Sequence, residues 1–325
     1  MNHAIRIHAT GGPEVLSWEP MDPGTPGPGE ALVRHAAIGL NFIDVYHRTG
    51  LYPLPALPAV PGMEGAGVVA AVGDGVTEVA VGDRVAYAGL PPGAYAQSRC
   101  MPAHRLVKLP DAIGFELAAA MMLQGMTARY LLYGCYPVSS GATVLIHAAA
   151  GGVGSIVVQW ARHLGATVIG TVGSEEKAAL ATANGCHHPI LYNREDWVSQ
   201  VRDITDGKGV DVVYDSVGQA TFFKSLDCLR PMGMMVSFGQ SSGGIAPVDL
   251  QVLAAKGSLF LTRPSLMAYT AKRDDLLAHA ADLFDVVTRG VVSIEVRQTY
   301  PLEAAAQAHT DLEARRTTGS SVLLP

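Results

Sequence analysis

Three glycines within four residues, Gly151, Gly152 and Gly154, lie between a short apolar run and a stretch with apolar residues at helical spacing. A dinucleotide pyrophosphate needs backbone N–H groups at a helix N-terminus and a turn bare enough for close approach, and this stretch supplies both. The turn reads Ala149-Ala150-Gly151-Gly152-Val153-Gly154, so alanine replaces the first glycine of a G-x-G-x-x-G pattern. About twenty residues on, an NAD-binding chain places an Asp or Glu for the ribose hydroxyls; here stand Gly173 and Ser174, with Lys177 one helical turn later. A missing carboxylate, a short hydroxyl and a lysine leave room and charge for a 2′-phosphate, and the cofactor is read as NADPH. A solvated lysine on a helix opening Ser174-Glu175-Glu176 would explain Lys177 alone, but not the missing acid.

The turn has to be held by a strand and a helix. Residues 143–148 read as a buried strand, and Val153, Ile156, Val157, Trp160 and Leu164 mark the helix that Gly165 closes. From about 124 to 262 such units alternate. Strands are predicted at 143–148, 167–172, 188–191, 210–215, 234–239 and 258–262, and helices at 174–184, 195–205 and 219–229. Alternation of this kind predicts a parallel sheet covered on both faces.

Residues 1–123 differ: short strands are punctuated by glycine and proline, with five of each in 11–30. Strands at 31–38, 67–73, 83–87 and 94–97 predict a small, mostly antiparallel barrel, and helices at 115–122 and 125–132 a hinge. A helix at 274–289 and strands at 291–296 and 319–324 are expected to return to that barrel. The domain boundaries are therefore placed at 1–123 and 263–325 for the barrel and 124–262 for the parallel sheet.

At 325 residues, 49% hydrophobic and 16% charged, the chain can bury two sizeable cores. A net charge of −6 argues against nucleic acid and acidic membrane surfaces, and Arg315-Arg316 is too short a basic run to change that. Cys100, Cys135, Cys186 and Cys228 are far apart with no C-x-x-C, so neither a disulfide framework nor a structural zinc lobe is expected. The N-terminus lacks an apolar signal core and no apolar run approaches the ~18 residues of a membrane span. A cytoplasmic location is expected.

Three groups of residues carry a family resemblance. Gly62-Met63-Glu64-Gly65-Ala66-Gly67-Val68-Val69-Ala70-Ala71-Val72-Gly73 resembles the barrel motif of medium-chain dehydrogenases/reductases, whose zinc members carry His where Met63 stands. The glycine turn with Gln159 and Arg162 resembles the quinone oxidoreductase and zeta-crystallin signature. Asn41-Phe42-Ile43-Asp44-Val45-Tyr46 with Gly50-Leu51-Tyr52-Pro53 is similar to the active-site segment of bacterial quinone oxidoreductases. The resemblance spans essentially the whole chain. It implies an α/β protein with a GroES-like antiparallel barrel domain plus a doubly wound six-stranded Rossmann domain, and a cleft between them. It further implies NADPH-dependent, metal-free reduction of quinones by hydride or electron transfer, and a homodimer built partly through the last sheet strand.

Zinc dehydrogenases hold their metal with thiolate, histidine and a third N, S or carboxylate ligand. The corresponding barrel positions here are Asn41, Met63 and Glu64, a set that argues against alcohol dehydrogenation. Glu64 reads as paired inside the barrel rather than as a base. The eleven histidines do not restore a site: His187 and His188 point to opposite faces of a strand, and His147 reads as core. A quinone is itself a good hydride acceptor, so the protein need only place the nicotinamide and donate hydrogen bonds to the growing oxyanion. Asn41 would hold the nicotinamide or an oxygen. Tyr46 and Tyr52 would stack on the substrate or donate to it, with plain packing the competing reading for each. Asp44 would orient Tyr or Asn side chains. Gln124 and Thr127 face the cleft in the family, which implies contact with the nicotinamide amide or the substrate, with Thr127 counted as cofactor-binding; Gln124 departs from a lysine-bearing variant, leaving its role open.

For the cofactor, Gly151, Gly152, Val153 and Gly154 would carry the pyrophosphate, Gly173, Ser174 and Lys177 the 2′-phosphate, and Tyr192 would stack near that end. Ser216 and Val217 would border the adenosine. Phe238, Gly239, Gln240, Arg263, Pro264 and Ser265, at carboxyl ends of later strands, belong near the nicotinamide, and Arg315 is a weaker candidate for the same cleft. Two other functions use the same parts: reduction of the C=C bond of enones or alkenals, and an NADPH-sensing RNA-binding protein. The acidic charge and the lack of aromatic-basic clusters count against the latter.

Overall fold

The computed structural model describes residues 2–194 and 196–325. The chain forms two compact units, one holding the residues up to Met126 with Tyr269–Thr288 and Ile294–Pro325, the other Thr127–Ala268 with Arg289–Ser293.

The first unit begins with β1 (His3–Arg6) and β2 (Ser17–Pro20), an antiparallel pair. Then come β3 (Glu30–Leu40), α1 (Phe42–Thr49), β4 (Glu64–Val72), β5 (Arg84–Ala88), β6 (Ser98–Pro102), β7 (Val107–Lys108), α2 (Phe115–Ala119) and α3 (Met122–Arg129), in which the unit ends. β3 alternates buried and less buried residues as far as Ala36, after which Ala37, Ile38, Gly39 and Leu40 are all buried. That change of pattern carries Asn41 into the interior.

The second unit alternates β8 (Thr143–His147), α4 (Gly152–His163), β9 (Thr167–Val172), α5 (Glu175–Ala183), β10 (His188–Leu191), α6 (Trp197–Ile204), β11 (Val210–Asp215), α7 (Phe222–Cys228), β12 (Leu229–Ser237), α8 (Gln251–Ala255) and β13 (Phe260–Thr262). Its sheet has the order β10-β9-β8-β11-β12-β13, every pair parallel. The order reverses between β8 and β11, which puts the carboxyl ends of these strands at the switch point where open α/β sheets bind ligands. Leu145, Ile169, Val213 and Met235 are fully buried in its core.

The chain closes with α9 (Leu266–Tyr269), α10 (Arg273–Thr288), β14 (Val296–Pro301), α11 (Ala305–Glu313) and β15 (Ser320–Leu324). The last two strands complete the sheet of the first unit, ordered β14-β15-β3-β4-β5-β7 with β6 also on β3. All its pairs are antiparallel except β14 with β15. Leu40 faces Ser321 and Ile38 faces Gly65, so the end of β3 lies between the starts of β4 and β15. Among the described residues no helix is long and apolar enough to cross a membrane.

Several predicted bounds shift for physical reasons. The strand expected at 291–296 begins only at Val296, because the backbone N–H and carbonyl of Ser293 are bonded to the Gln159 side chain (2.8 and 3.0 Å) instead of a ladder. The strand at 143–148 stops at His147, since Ala148 takes a left-handed φ of 54°. Residues 94–97 make a single bridge, Ala96 to Ala4, before β6 starts at Ser98. The strand placed at 234–239 starts at Leu229, shortening the helix placed at 219–229 to α7. The helix at 125–132 starts earlier, at Met122, and passes into a π-type turn over Tyr130–Cys135. Glu195, where a helix was expected to start, lies outside the described residues; α6 is capped by Asp196.

Candidate active site

In the second unit the glycine turn lies between β8 and α4. α4 starts after Gly151, whose backbone is extended (φ −82°, ψ 176°), and no side chain caps it. Its first N–H groups are therefore left for a ligand, with the positive end of a three-turn helix behind them. Gly154 is required sterically, because a Cβ there would run into the Ala148 carbonyl. At Gly151 a Cβ would lie 3.2 Å from the same oxygen.

The end of β9 carries Gly173 and Ser174. The Ser174 hydroxyl accepts from Lys177 N (3.3 Å) as the cap of α5, leaving its own hydrogen for an anion. A Cβ at Gly173 would meet Tyr192 Oη at 3.0 Å, and Asn193 Nδ2 donates to Gly173 O, so the segment after β10 closes on this turn. It also brings in Arg194, whose guanidinium pairs with Glu175 at 2.8 Å and so balances an acid beside the expected 2′-phosphate position. Sequence reasoning missed Arg194, although the run Tyr192-Asn193-Arg194 after a strand was a signal.

Asp215, fully buried at the end of β11, accepts from Val217 N (2.7 Å), Gly218 N (3.1 Å) and Thr221 Oγ1. It is the scaffold that shapes the Ser216-Val217 turn. A Cβ at Gly239 would strike the Ser216 backbone, so Phe238-Gly239-Gln240 packs directly on that turn. Arg263 NH1 donates to Ser237 O (2.8 Å), tying the Arg263-Pro264-Ser265 segment to the carboxyl end of β12. Ser237 Oγ is buried without a partner among the described residues. An open helix N-terminus, a cradle that Cβ atoms would fill and an orphaned hydroxyl at the strand ends together fit a dinucleotide. His147 is not part of this: it is buried, bonded to Thr171 and Ser225, and edge-on to Trp197.

In the first unit, the site is made of buried side chains. Asn41 caps α1; its N–H donates to Asp44 Oδ2 (2.9 Å). Its Nδ2 donates to Glu64 Oε2 (2.7 Å), and its Oδ1 accepts from Gln124 Nε2 (3.1 Å). Glu64 Oε1 accepts from Leu123 N (2.8 Å), and Gln124 Oε1 from Ser320 Oγ (2.9 Å). Gly39 is bare because a Cβ would collide with the Glu64 carboxyl. Burial, aided by the charge of Asp44, pushes Glu64 up to about 8, and burial pushes Asp44 up to about 7.

Asp44 also accepts from Tyr95 Oη (3.2 Å), which is bonded to His309 Nε2 (2.9 Å). Burial, with the nearby Arg48 charge, lowers His309 to about 3, so it is neutral. Arg48, which can only donate, bonds His309 Nδ1 at 3.2 Å and holds Glu313 with two bonds of 2.8 and 2.9 Å. The donor direction thus runs Arg48 to His309 to Tyr95 to Asp44. Asp44 orients Tyr95 and the Asn41 backbone. Tyr46 is buried, its ring edge-on to that of the half-buried Tyr52 at 5.1 Å. Ser320, Tyr95 and His309 escaped the sequence reading, and no local pattern singled them out.

Of the remaining assigned residues, Arg315 is exposed beyond α11, in the first unit. Its left-handed φ of 58° marks a helix end. Thr127 is buried at the start of the second unit, whereas its neighbour in the sequence reading, Gln124, belongs to the first.

The donor set beside Asn41 does not fit zinc. Met63 is buried, the Asn41 amide and the Glu64 carboxyl are hydrogen-bonded to protein, and no group of three His, Cys, Asp or Glu among the described residues could hold a metal ion.

Residues 27–111 match the alcohol dehydrogenase GroES-like domain and 152–279 the zinc-binding dehydrogenase domain. A GroES-like unit joined to a doubly wound dinucleotide-binding unit defines the medium-chain dehydrogenase/reductase class. Within it, the chain is 52% identical to a quinone oxidoreductase of Pseudomonas aeruginosa, over the whole of both chains. It is 50% identical to a 2-haloacrylate reductase of a Burkholderia species, covering 99% of this chain and 98% of that one. A solved structure of an Escherichia coli quinone oxidoreductase complexed with NADPH superposes with a TM-score of 0.98 at 48% identity, covering 99% of this chain and 100% of that one. The chain belongs to the quinone oxidoreductase family.

Proposed function

We propose that this protein is an NADPH-dependent quinone reductase. The observation that carries the reading is the uncapped N-terminus of α4 combined with an acid-free end of β9, where Gly173, Ser174 and Lys177 stand in place of a ribose-binding carboxylate. When bound, the nicotinamide supplies the reducing equivalents that, with a proton, convert quinone to hydroquinone. Gly151 to Gly154 hold the pyrophosphate, and Ser174, Lys177 and Arg194 hold the 2′-phosphate. Ser216, Val217 and Tyr192 border the adenosine end, while Phe238, Gly239, Gln240, Arg263, Pro264 and Ser265 border the nicotinamide. Asn41 donates to the substrate oxygen that gains charge, and Tyr46 and Tyr52 shape and stack on the ring.

The protein is further proposed to be cytoplasmic and homodimeric. Four free cysteines agree with a reducing compartment. The edge strand β13 exposes Phe260 (57%) and Leu261 (36%), which a second copy of the chain would cover.

The 2-haloacrylate reductase at 50% identity favours one second reading, reduction of an activated alkene. NADPH oxidation by EDTA-treated protein against 1,4-benzoquinone, 9,10-phenanthrenequinone, an enone, an alkenal and 2-chloroacrylate, with NADH in parallel, separates the two. Turnover confined to quinones supports the first reading, and preference for the alkenes replaces it with the second.

A further inference from the structure

The proposed reaction leaves unexplained why Asn41, Gln124, Glu64 and Ser320 form a continuous buried chain. Asn41, Gln124 and Ser320 are 6%, 7% and 2% exposed, and Glu64 is fully buried. The chain has a polarity: Ser320 Oγ donates to Gln124 Oε1, Gln124 Nε2 to Asn41 Oδ1, and Asn41 Nδ2 to Glu64 Oε2. Leu123 N–H, which can only donate, occupies the other Glu64 oxygen. An amide has two ends of nearly equal shape and opposite hydrogen-bonding sense, so what its neighbours offer decides which way it points.

We infer that Glu64 and Gln124 are positioning residues that hold the Asn41 amide in one orientation, so that its second Nδ2 hydrogen is presented to the substrate oxygen. The inference rests on the reading of the protein as a quinone reductase. Ionised Glu64 can only accept, and it admits only the Nδ2 end of the amide. One Nδ2 hydrogen is held there, and the other has no acceptor among the described residues. In the reversed amide a carbonyl oxygen would take that place and repel a developing oxyanion. Charge therefore matters at this point, not shape.

Protonated Glu64 could donate, which would release the constraint. Asp44, Tyr87 and Tyr95 are the titratable groups coupled electrostatically to it, and burial together with Asp44 opposes its ionised form. Orientation of Asn41 is thus linked to the proton on Glu64.

Glu64→Gln tests this without emptying the site. The substituted side chain would still accept from Leu123 N–H through its amide oxygen, and its amide nitrogen would face Asn41. The bonds among positions 64, 41, 124 and 320 can then all reverse, because Ser320 Oγ also lies 3.0 Å from Ala120 O and is free to accept from Gln124, while the Asp44 backbone N–H, for which the Asn41 side chain is the acceptor in the capping box of α1, gives up that acceptor. The double variant Gln124→Glu with Glu64→Gln locks the reversal, since the ionised carboxylate it places at position 124 accepts only. In both, unfolding should stay cooperative and the NADPH dissociation constant read by nicotinamide fluorescence should stay at the wild-type level, while kcat with 1,4-benzoquinone falls on the order of 10²-fold, the effect of losing one oxyanion donor.

The orientation itself is read by NMR on cofactor-free protein labelled at Asn and Gln. The Asn41 NH2 protons should show cross-relaxation to the Glu64 γ-methylene in wild type and to the γ-methylene of the side chain at position 124 in the variants. Wild-type kcat should rise with pH as Glu64 ionises, and that rise should vanish in Glu64→Gln. Reversed cross-peaks with unchanged kcat would overturn the inference, as would cross-peaks that do not reverse in the double variant. If wild type reduces no quinone, the functional reading fails and takes the substrate role with it, whereas the spectra still decide whether Glu64 sets the amide.

Discussion

The glycine turn of the second unit and the Asn41 cluster of the first both present fixed hydrogen-bond donors, but they are built from opposite materials. The turn uses backbone N–H groups and works by removing side chains: Gly151 and Gly154 are bare so that strand, helix and ligand can approach. The cluster uses side chains from the N-cap of α1, β4, α3 and β15, each buried and each dependent on the next. A backbone donor cannot be reversed, so the turn needs no second set of residues to define it. An amide donor can be, so the cluster carries Glu64 and Gln124.

The sharpest way to break the comparison is to add atoms to the turn. Gly154→Val drives a Cβ into the Ala148 carbonyl, and overpacking of this kind costs about 1–3 kcal/mol. NADPH binding, followed by fluorescence titration, should be lost, with a lowered melting temperature. Unaltered binding would mean that the pyrophosphate sits elsewhere.

Removing atoms from the cluster should act through unsatisfied neighbours. Asn41→Ala strands both the Glu64 carboxyl and the Gln124 amide, at about 1–3 kcal/mol for each buried group left without a partner. Urea unfolding measures that loss. Quinone kcat/KM should fall on the order of 10²-fold while NADPH affinity changes little.

The two regions also differ in titration. Glu64 and Asp44 are raised from their ordinary 4.5 and 3.8 to about 8 and 7, so between those values the folded state holds protons that the unfolded state has lost. Their stabilising effect is full below pH 3.8 and is lost as pH rises through 7 to 8, at up to about 1.4 kcal/mol per pH unit for each proton. His35 and His309 are lowered from 6.5 to about 4 and about 3; their effect is present above 6.5 and lost as pH falls. His47, His147 and His187 are also lowered, so below 6.5 the histidines outweigh the two carboxyls, and between 6.5 and about 8 the carboxyl decline takes over. Urea unfolding from pH 5 to 8 should give a rise and then a fall, and Glu64→Gln should flatten the fall. An equal fall in that variant would move its origin away from Glu64.

Smaller effects sharpen the turn. Lys177→Ala should raise the NADPH KM roughly tenfold, the value of a charged hydrogen bond, and leave NADH nearly unchanged; equal losses with both would remove the 2′-phosphate assignment. Ala148→Gly relieves a left-handed φ of 54° and should add about 1 kcal/mol in thermal unfolding, with binding intact.

Much of the second unit was legible in the sequence because its signals are local. The runs at 143–147, 167–172 and 210–215 are apolar enough to read as buried parallel strands, and the helix after the turn shows its period plainly. Failures came where a distant group intervened. Gln159 captures the Ser293 backbone and delays β14, and Pro231 with Gly233 disguised the first half of β12.

What the amino-acid order determined by itself was the glycine turn between a strand and a helix, the lack of an Asp or Glu at the end of the next strand, the unsuitability of Asn41, Met63 and Glu64 for zinc, and the family. Each rests on residues close in the chain or on a recognisable motif. Only the tertiary structure decided what Asn41 is bonded to, because its partners are 23 and 83 positions away and Ser320 lies 196 from Gln124. Burial raises the cost of an unpaired polar group until only one arrangement of these side chains satisfies them all. That selection acts in the packed interior, where β3 is flanked by β4 and β15, and no single segment carries it.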